Sequence, residues 1–234
     1  MDAGGVLDYA GLAVAAERYA AAISAAVAAD QPVAICLPTD REVPSAMLGA
    51  LLAGRPYVTL DPALPAGHLR RTIEHSGAKA IICGPQDAII PPDAVPPGVV
   101  RLELDQMPSL MERRAVPPGP ETAAYVLYTS GSTGVPKGVW QDQRGLIHDV
   151  LQYSEAIAIT PADRLSLLYA PSVNGALRDI FGALLNGAVL CMSDLRREGF
   201  AKVRDDLERR RVTVLHAMPP VLRSLTRASG KTIA

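Results

Sequence analysis

Cysteine is scarce in this 234-residue sequence, which contains only Cys36, Cys83 and Cys191, far apart and each within an apolar run. An odd number of widely spaced cysteines argues against a disulfide framework. No group of cysteines and histidines has the spacing of a metal site, so we predict no metal ligands in this chain. The pattern favours buried, reduced thiols in a cytoplasmic protein.

An excess of charge of one sign is also missing. The 23 Lys and Arg residues nearly balance the 24 Asp and Glu residues, which leaves a formal net charge of −1 and no electrostatic reason to expect nucleic acid or an anionic membrane as a partner. No apolar stretch approaches the ~20 residues that a membrane-spanning helix needs. The alanine-rich N-terminus has no basic segment before it and is interrupted by Glu17 and Arg18, which favours an amphipathic helix over a signal peptide.

What the sequence does contain is an alternation of short apolar runs with longer segments that begin near proline and end near glycine, as helices commonly do. Hydrophobic residues make up 49% of the chain, enough for a sizeable core. The predicted helices are Leu7–Ala29, Pro44–Gly54, Pro65–Ser76, Asp142–Ala156, Gly175–Asn186, Phe200–Arg210 and one that begins at Pro219. The predicted strands are VAICL (33–37), YVTL (57–60), AIIC (80–83), VVRLEL (99–104), AAYVLYT (123–129), LSLLYA (165–170), AVLCM (188–192) and VTVLH (212–216).

This order of elements predicts an α/β fold. Strands that are continuous apolar runs and alternate with helices are typical of a mostly parallel sheet covered by helices on both faces. The proline-rich stretch 84–121 contains one strand-like run and is predicted to be an irregular connection, with a possible seam between subdomains. Ligands bind at the carboxyl ends of the strands in such sheets, and strand AAYVLYT ends in a glycine-rich segment.

That segment, TSGSTGVPKG from Thr129 to Gly138, is predicted to bind phosphate. Its glycines let backbone N–H groups turn toward an anion, its hydroxyls add donors, and its lysine adds a positive charge. The spacing is not that of the common G-x-x-x-x-G-K-[ST] loop, because Pro136 and Gly138 occupy two of the required positions. The residues predicted to bind phosphate are Thr129, Ser130, Gly131, Ser132, Thr133, Gly134, Lys137 and Gly138.

YTSGSTGVPKG resembles the phosphate-loop signature of the adenylate-forming superfamily at every position from Thr129 to Gly138. LLAGRPYVTLDPALPAGHLRRTIEHSGAKAII resembles a second conserved segment, that of nonribosomal-peptide-synthetase adenylation domains, with Thr59 in place of a proline. The resemblance implies the N-terminal lobe of an enzyme that uses ATP, with Mg²⁺ held by residues outside this chain, to convert a carboxylic acid to an acyl adenylate. It also implies that Lys137 is the catalytic residue. The acyl group then passes to the phosphopantetheine thiol of a carrier protein. An acyl-CoA ligase and a non-catalytic, truncated interaction module are the alternatives.

DIFGALLNGAVL and VTVLHAMPPVLRSL resemble the segments that form the acyl pocket in this family. The resemblance places Asn174, Gly175, Arg178 and His216 at pocket positions. Asn174 stands where amino-acid-activating members carry an aspartate that pairs with the substrate ammonium, and an amide cannot neutralise that charge. We therefore predict an aryl, hydroxy or keto acid as substrate. Alternatively, Arg178 is a surface residue and His216 a hydrogen-bonded histidine at a strand end.

The later ATP-binding segments of the family and its C-terminal lobe have no counterpart in the sequence. The resemblance therefore implies that residues 1–234 form an incomplete N-terminal adenylation domain. Such a fragment is expected to be inactive alone and to self-associate.

Overall fold

The computed structural model describes residues 1–2, 5–84, 90–103, 118–129 and 137–227 of the chain. Strands and helices alternate, which confirms the predicted α/β class. The strands are β1 (Val33–Cys36), β2 (Tyr57–Thr59), β3 (Ala80–Cys83), β4 (Val100–Glu103), β5 (Ala123–Thr129), β6 (Lys137–Asp142), β7 (Arg164–Leu167) and β8 (Val189–Met192). The helices are α1 (Tyr9–Ala26), α2 (Glu42–Leu52), α3 (Ala66–Ser76), α4 (Gln143–Ala156), α5 (Asn174–Leu185), α6 (Leu195–Arg209) and α7 (Pro219–Arg227).

The contacts within the chain divide it into two units. The first unit comprises Leu7–Pro38 and Glu42–His148. The second unit comprises Met1–Val6, Thr39–Arg41 and Asp149–Ala234. The predicted seam at 84–121 lies within the first unit, where residues 85–89 and 104–117 fall outside the described ranges, and it stays a prediction.

The first unit is built on a six-stranded sheet with the strand order β4-β3-β1-β2-β5-β6. All neighbouring strands are parallel except β5 and β6. Every residue of β1, β2 and β3 is buried, because strands in the middle of a covered parallel sheet have apolar neighbours on both faces. The core on one side of the sheet includes Ala34, Val58, Ile81 and Val126 from the strands and Leu69 from α3.

The boundaries of α3 follow the predicted proline and glycine, whereas α2 begins at Glu42, two residues before its predicted start at Pro44. The Asp8 carboxylate caps α1 by accepting a hydrogen bond from the Gly11 N–H at 2.7 Å. α3 follows Pro65 directly and ends at Gly77, whose φ of 72° lies in the left-handed region that glycine adopts at low cost.

β6 was not predicted from the sequence. It pairs antiparallel with β5 from Thr129↔Lys137 to Ala123↔Asp142 and forms one edge of the sheet. Val139 and Trp140 on this strand are about half exposed, at 51% and 52%. A short strand with exposed apolar residues and polar neighbours lacks the continuous burial that identifies the central strands.

The second unit contains a two-stranded parallel sheet of β7 and β8. The prediction of a third strand at VTVLH was wrong, because only the isolated bridge Leu165↔Val214 is present there. Side chains replace ladder hydrogen bonds on both sides of this bridge. The Thr213 hydroxyl accepts from the Arg164 N–H at 3.0 Å, and the Ser166 hydroxyl accepts from the His216 N–H at 3.2 Å.

α6 begins five residues before its predicted start at Phe200. Asp194 caps it by accepting from the backbone N–H groups of Arg196 and Arg197. Gly199 interrupts the helix with a φ of 77°, so the predicted start at Phe200 is the first residue after this kink.

All three cysteines are buried and free. Among the helices that the structure describes, none is both long enough and apolar enough to cross a membrane.

Candidate functional site

The predicted phosphate-binding segment connects two paired strands of the first unit. Thr129 ends β5 and Lys137 begins β6, and these two residues are partners in the antiparallel ladder. Ser130, Gly131, Ser132, Thr133 and Gly134 lie outside the described residues, as does the side chain of Thr129. β5 is parallel to β2, so both ends of the segment lie at the carboxyl edge of the parallel strands, where ligands bind in such sheets.

Lys137 is exposed at the first position of β6. A lysine on a paired strand has a defined backbone position, and its flexible side chain carries the charge outward. The next residue, Gly138, faces Tyr128 across the ladder. A Cβ atom at Gly138 would lie 3.1 Å from a Val126 methyl group and 3.2 Å from the Tyr128 ring, so glycine is what allows the Tyr128 ring to pack across β6.

The Tyr128 side chain also contacts His75 of α3. Its hydroxyl lies 2.8 Å from His75 Nδ1, and the two rings meet edge to face with centroids 5.6 Å apart. Partial burial raises the pKa of Tyr128, so the hydroxyl keeps its proton near neutral pH. The strand that leads into the predicted phosphate loop is thereby connected to a neighbouring helix.

The four predicted pocket residues all belong to the second unit. Asn174 is exposed at the first position of α5, and Gly175 follows it. A Cβ atom at Gly175 would lie 3.1 Å from the Tyr169 ring, so glycine makes room for this tyrosine. Tyr169 comes two residues after the end of β7, which places this part of the pocket at the carboxyl end of a parallel strand.

Arg178 lies one turn beyond Asn174 on α5. Its guanidinium makes a two-point ion pair with Asp149, with Nη2 at 2.8 Å from Oδ1 and Nε at 3.1 Å from Oδ2. The guanidinium carbon is 6.0 Å from the centre of the Tyr153 ring. The charge of Arg178 is thus matched within the protein, and its role toward a substrate stays a prediction.

His216 contacts the side chains of Tyr153, Tyr169 and Asp179. We call these four residues the Asp179 cluster. His216 Nδ1 lies 2.9 Å from Asp179 Oδ1. The Tyr153 hydroxyl donates to the same oxygen at 3.3 Å. The His216 ring centre is 4.8 Å from that of Tyr169 and 5.9 Å from that of Tyr153. The cluster therefore joins α4, α5, the end of β7 and the segment before α7.

Asp179 is the buried acid of this cluster. It is completely buried, and its Oδ2 has no hydrogen-bond partner among the described residues. Burial raises the pKa of Asp179 to about 6, against the opposing effects of the His216 and Tyr153 hydrogen bonds. Burial and the nearby Asp179 charge raise the pKa of Tyr153, which keeps its hydroxyl a donor.

Sequence reasoning identified His216 but not the residues around it. Asp179 is the only acid in ALRDIFGALL, where it follows Arg178 among apolar residues, and an acid within an apolar helix pattern is a signal of a functional or paired group. Tyr153 and Tyr169 carry no such signal. Within the described ranges, no group of three or more His, Cys, Asp or Glu side chains is placed to hold a metal ion.

Comparisons with known proteins identify the family and the fold. A family profile described as "AMP-binding enzyme" matches residues 2–233. Surfactin synthase subunit 2 of Bacillus subtilis is 34% identical over 154 residues, which are 64% of this chain and 4% of the relative. Pyochelin synthetase PchE of Pseudomonas aeruginosa is 32% identical over 191 residues, which are 81% of this chain and 13% of the relative. The chain thus spans only a small part of the curated relatives it matches.

Solved structures show the same fold. The nonribosomal peptide synthetase FmoA3 superposes with a TM-score of 0.88 at 28% identity, over 100% of this chain and 25% of that chain, and it has also been solved with AMPPNP bound. o-Succinylbenzoate CoA synthetase (MenE) of Bacillus subtilis gives a TM-score of 0.88 at 22% identity, over 99% of this chain and 60% of that chain, a likeness that shows the fold alone. The chain belongs to the AMP-binding enzyme family and has the fold of the N-terminal part of adenylate-forming enzymes.

Proposed function

We propose that the chain contributes the phosphate-binding hairpin and the acyl pocket of an adenylation domain. The reaction is attack of a carboxylate on the α-phosphate of ATP, which gives an acyl adenylate and pyrophosphate. The observation that carries this proposal is the pairing of Thr129 with Lys137 at the carboxyl edge of the sheet, in a chain whose family profile is that of AMP-binding enzymes. The AMPPNP-bound form of FmoA3 supports ATP as the nucleotide.

Lys137 acts on the phosphates in this proposal. Negative charge builds on the pyrophosphate as it leaves, and a cation already in place stabilises that charge without reorganisation. One pair of unit charges about 4 Å apart interacts by ~4 kcal/mol at an effective dielectric constant near 20, before desolvation. The paired backbone of β6 defines where the Lys137 side chain starts. No residue is assigned to Mg²⁺.

The acid occupies the pocket at α5 in this proposal. Asn174 offers an amide where a carboxylate would be needed to balance an ammonium group, and an unbalanced buried charge is costly. An aryl, hydroxy or keto acid is therefore the proposed substrate class. The relatives named as peptide synthetases support a carrier-protein thiol as the acceptor over CoA.

Lys137→Ala tests the phosphate role in a protein that carries the complete adenylation domain. We expect ATP–pyrophosphate exchange to fall by about 10- to 100-fold, with the KM for the acid nearly unchanged, because one charge-assisted contact to the leaving group is lost. Lys79→Ala is the matched control, since Lys79 is an exposed lysine of the same unit outside the hairpin. Equal exchange in the two variants would refute the role of Lys137.

A screen of acids by the same exchange assay tests the substrate class. We expect exchange with at least one aryl, hydroxy or keto acid and weak exchange with simple α-amino acids. Efficient exchange with L-leucine together with none for the other classes would contradict the argument from Asn174.

A further inference from the structure

We infer that Asp179 is a positioning residue for His216: it holds the imidazole with Nδ1 as the donor, so that the Nε2 lone pair accepts a hydrogen bond from a hydroxyl group of the acid substrate. This inference rests on the proposed function and deepens it, because it names the chemical group of the acid that the pocket selects.

The first step concerns the two nitrogens of His216. Nδ1 lies 2.9 Å from Asp179 Oδ1, and a carboxylate that faces a ring nitrogen favours a proton on that nitrogen. In the neutral imidazole the other nitrogen is then an acceptor. Nε2 has no hydrogen-bond partner among the described residues and is not buried.

The second step concerns the orientation of the ring. The His216 backbone N–H donates to the Ser166 hydroxyl at 3.2 Å, which connects the residue to β7. The Tyr169 and Tyr153 rings lie on the imidazole at centroid distances of 4.8 and 5.9 Å. The side chain is nevertheless 33% exposed. A ring that is held on several sides and open on one presents the same atom to each incoming ligand.

The third step concerns the other predicted pocket residues. The Arg178 guanidinium is paired with Asp149 at 2.8 and 3.1 Å, and Gly175 has no side chain. Asn174 is uncharged. His216 is therefore the predicted pocket residue whose hydrogen-bonding character is set by a buried neighbour, and Asp179 sets it from a position with no exposure of its own.

The tautomer of His216 is the direct readout. It is measured by ¹⁵N NMR on protein labelled only at histidine, with the His216 signals assigned by their absence in His216→Gln. We expect a protonated Nδ1 and an unprotonated Nε2 in the neutral ring, and a mixture of both tautomers in Asp179→Asn, whose amide can either donate or accept. A proton on Nε2 in the unmodified protein overturns the inference even if the variant does not fold.

Exchange kinetics provide the functional readout, with 2-hydroxybenzoate against benzoate and 2-hydroxy-4-methylpentanoate against 4-methylpentanoate as matched probes. We expect Asp179→Asn to reduce the preference for the hydroxylated probe about tenfold, the equivalent of one hydrogen bond, through a higher KM for that acid. The KM for ATP should stay the same. Asp206→Asn is the control, because Asp206 is also buried but its ion pairs are with Lys202, Arg209 and Arg210 of the α6 region.

An unchanged preference in Asp179→Asn, or an equal loss in Asp206→Asn, overturns the inference. If the unmodified protein exchanges with none of the acids, the proposed function fails instead, and the NMR measurement then decides the role of Asp179 separately.

Discussion

The sheet core of the first unit and the Asp179 cluster of the second unit bury different chemistry. β1 and β3 bring four aligned pairs of side chains together, from Val33↔Ala80 to Cys36↔Cys83, and none carries a charge. In the Asp179 cluster, a buried carboxylate contacts a phenol and an imidazole that are both partly exposed. Apolar burial stabilises in proportion to area, whereas a buried carboxylate costs free energy that its hydrogen bonds only partly offset.

This buried carboxylate is the feature on which the proposed recognition role of the second region rests. Ionisable groups with perturbed pKa values gather at functional sites, and the pKa of Asp179 is raised by burial to about 6. In the first unit, the charged pair of Arg101 and Glu103 lies on β4, at the edge of the six-stranded sheet opposite β6, and not among the apolar pairs of β1 and β3. Under the proposal above, the sheet core provides stability and the cluster provides recognition, and each role can be tested.

Ile81→Ala should have the largest effect on stability. Ile81 is completely buried, so we expect a loss of about 2–5 kcal/mol in the free energy of unfolding, measured with urea. Ile147→Ala is the control within the same unit, since Ile147 is 42% exposed, and its expected effect is within about 0.5 kcal/mol. Similar losses in the two variants would contradict the role given to the sheet core.

The pH dependence of stability should reveal the raised pKa of Asp179. Its pKa is raised from 3.8 to about 6 in the folded chain, so between these values the folded state keeps a proton that the unfolded state has lost. The contribution of Asp179 to the free energy of unfolding therefore falls as pH rises through this window. Relative to the unmodified protein, Asp179→Asn should gain stability between pH 4 and pH 7, by an amount on the order of 2–3 kcal/mol.

Asp163→Asn is the control for this measurement. The pKa of Asp163 is lowered, first by the hydrogen bond from the Thr213 hydroxyl and then by those from Thr160. A carboxyl with a lowered pKa stabilises the fold above its ordinary value of 3.8 and loses this contribution below it. The relative stability of Asp163→Asn should thus be nearly constant between pH 4 and pH 7, and a flat curve for Asp179→Asn as well would show that Asp179 is not perturbed.

The smallest expected effects come from two tyrosine hydroxyls. Tyr153→Phe removes the 3.3 Å hydrogen bond to Asp179, and we expect a loss of about 1 kcal/mol. The Tyr57 hydroxyl is buried in the first unit without a hydrogen-bond partner among the described residues, so Tyr57→Phe should be neutral or stabilising by up to about 1 kcal/mol. Urea denaturation of both variants shows whether Tyr153→Phe lowers the free energy of unfolding while Tyr57→Phe does not.

Much of the fold could be predicted because its central strands are continuous apolar runs. VAICL and AIIC contain β1 and β3, and α3 lies between Pro65 and Gly77, as the proline–glycine pattern predicts. β6 was missed because only two residues of its sequence, KGVWQD, are apolar and its pairing depends on β5 rather than on its own pattern. VTVLH was predicted as a strand because local pattern does not show that Thr213 and Ser166 side chains replace ladder hydrogen bonds.

The site was harder to predict than the fold. The phosphate segment is contiguous, so its residues could be named from the sequence. The Asp179 cluster joins side chains up to 63 residues apart, from Tyr153 to His216, and no local pattern relates such positions. Among the partners of His216, only Asp179 had a detectable signal, because it is the only acid in the sequence of α5.

The burial of the three cysteines makes them chemical reporters of local opening. Cys36 and Cys83 lie side by side in the first unit, and Cys191 lies in the second. Burial raises the pKa of Cys36 to about 12 and also raises the pKa values of the other two thiols, so each thiol reacts slowly while its surroundings stay closed. The rate at which a thiol reagent labels each position therefore measures how often its surroundings open. Variants that keep only Cys191, or only Cys36, would give the opening kinetics of the two units separately.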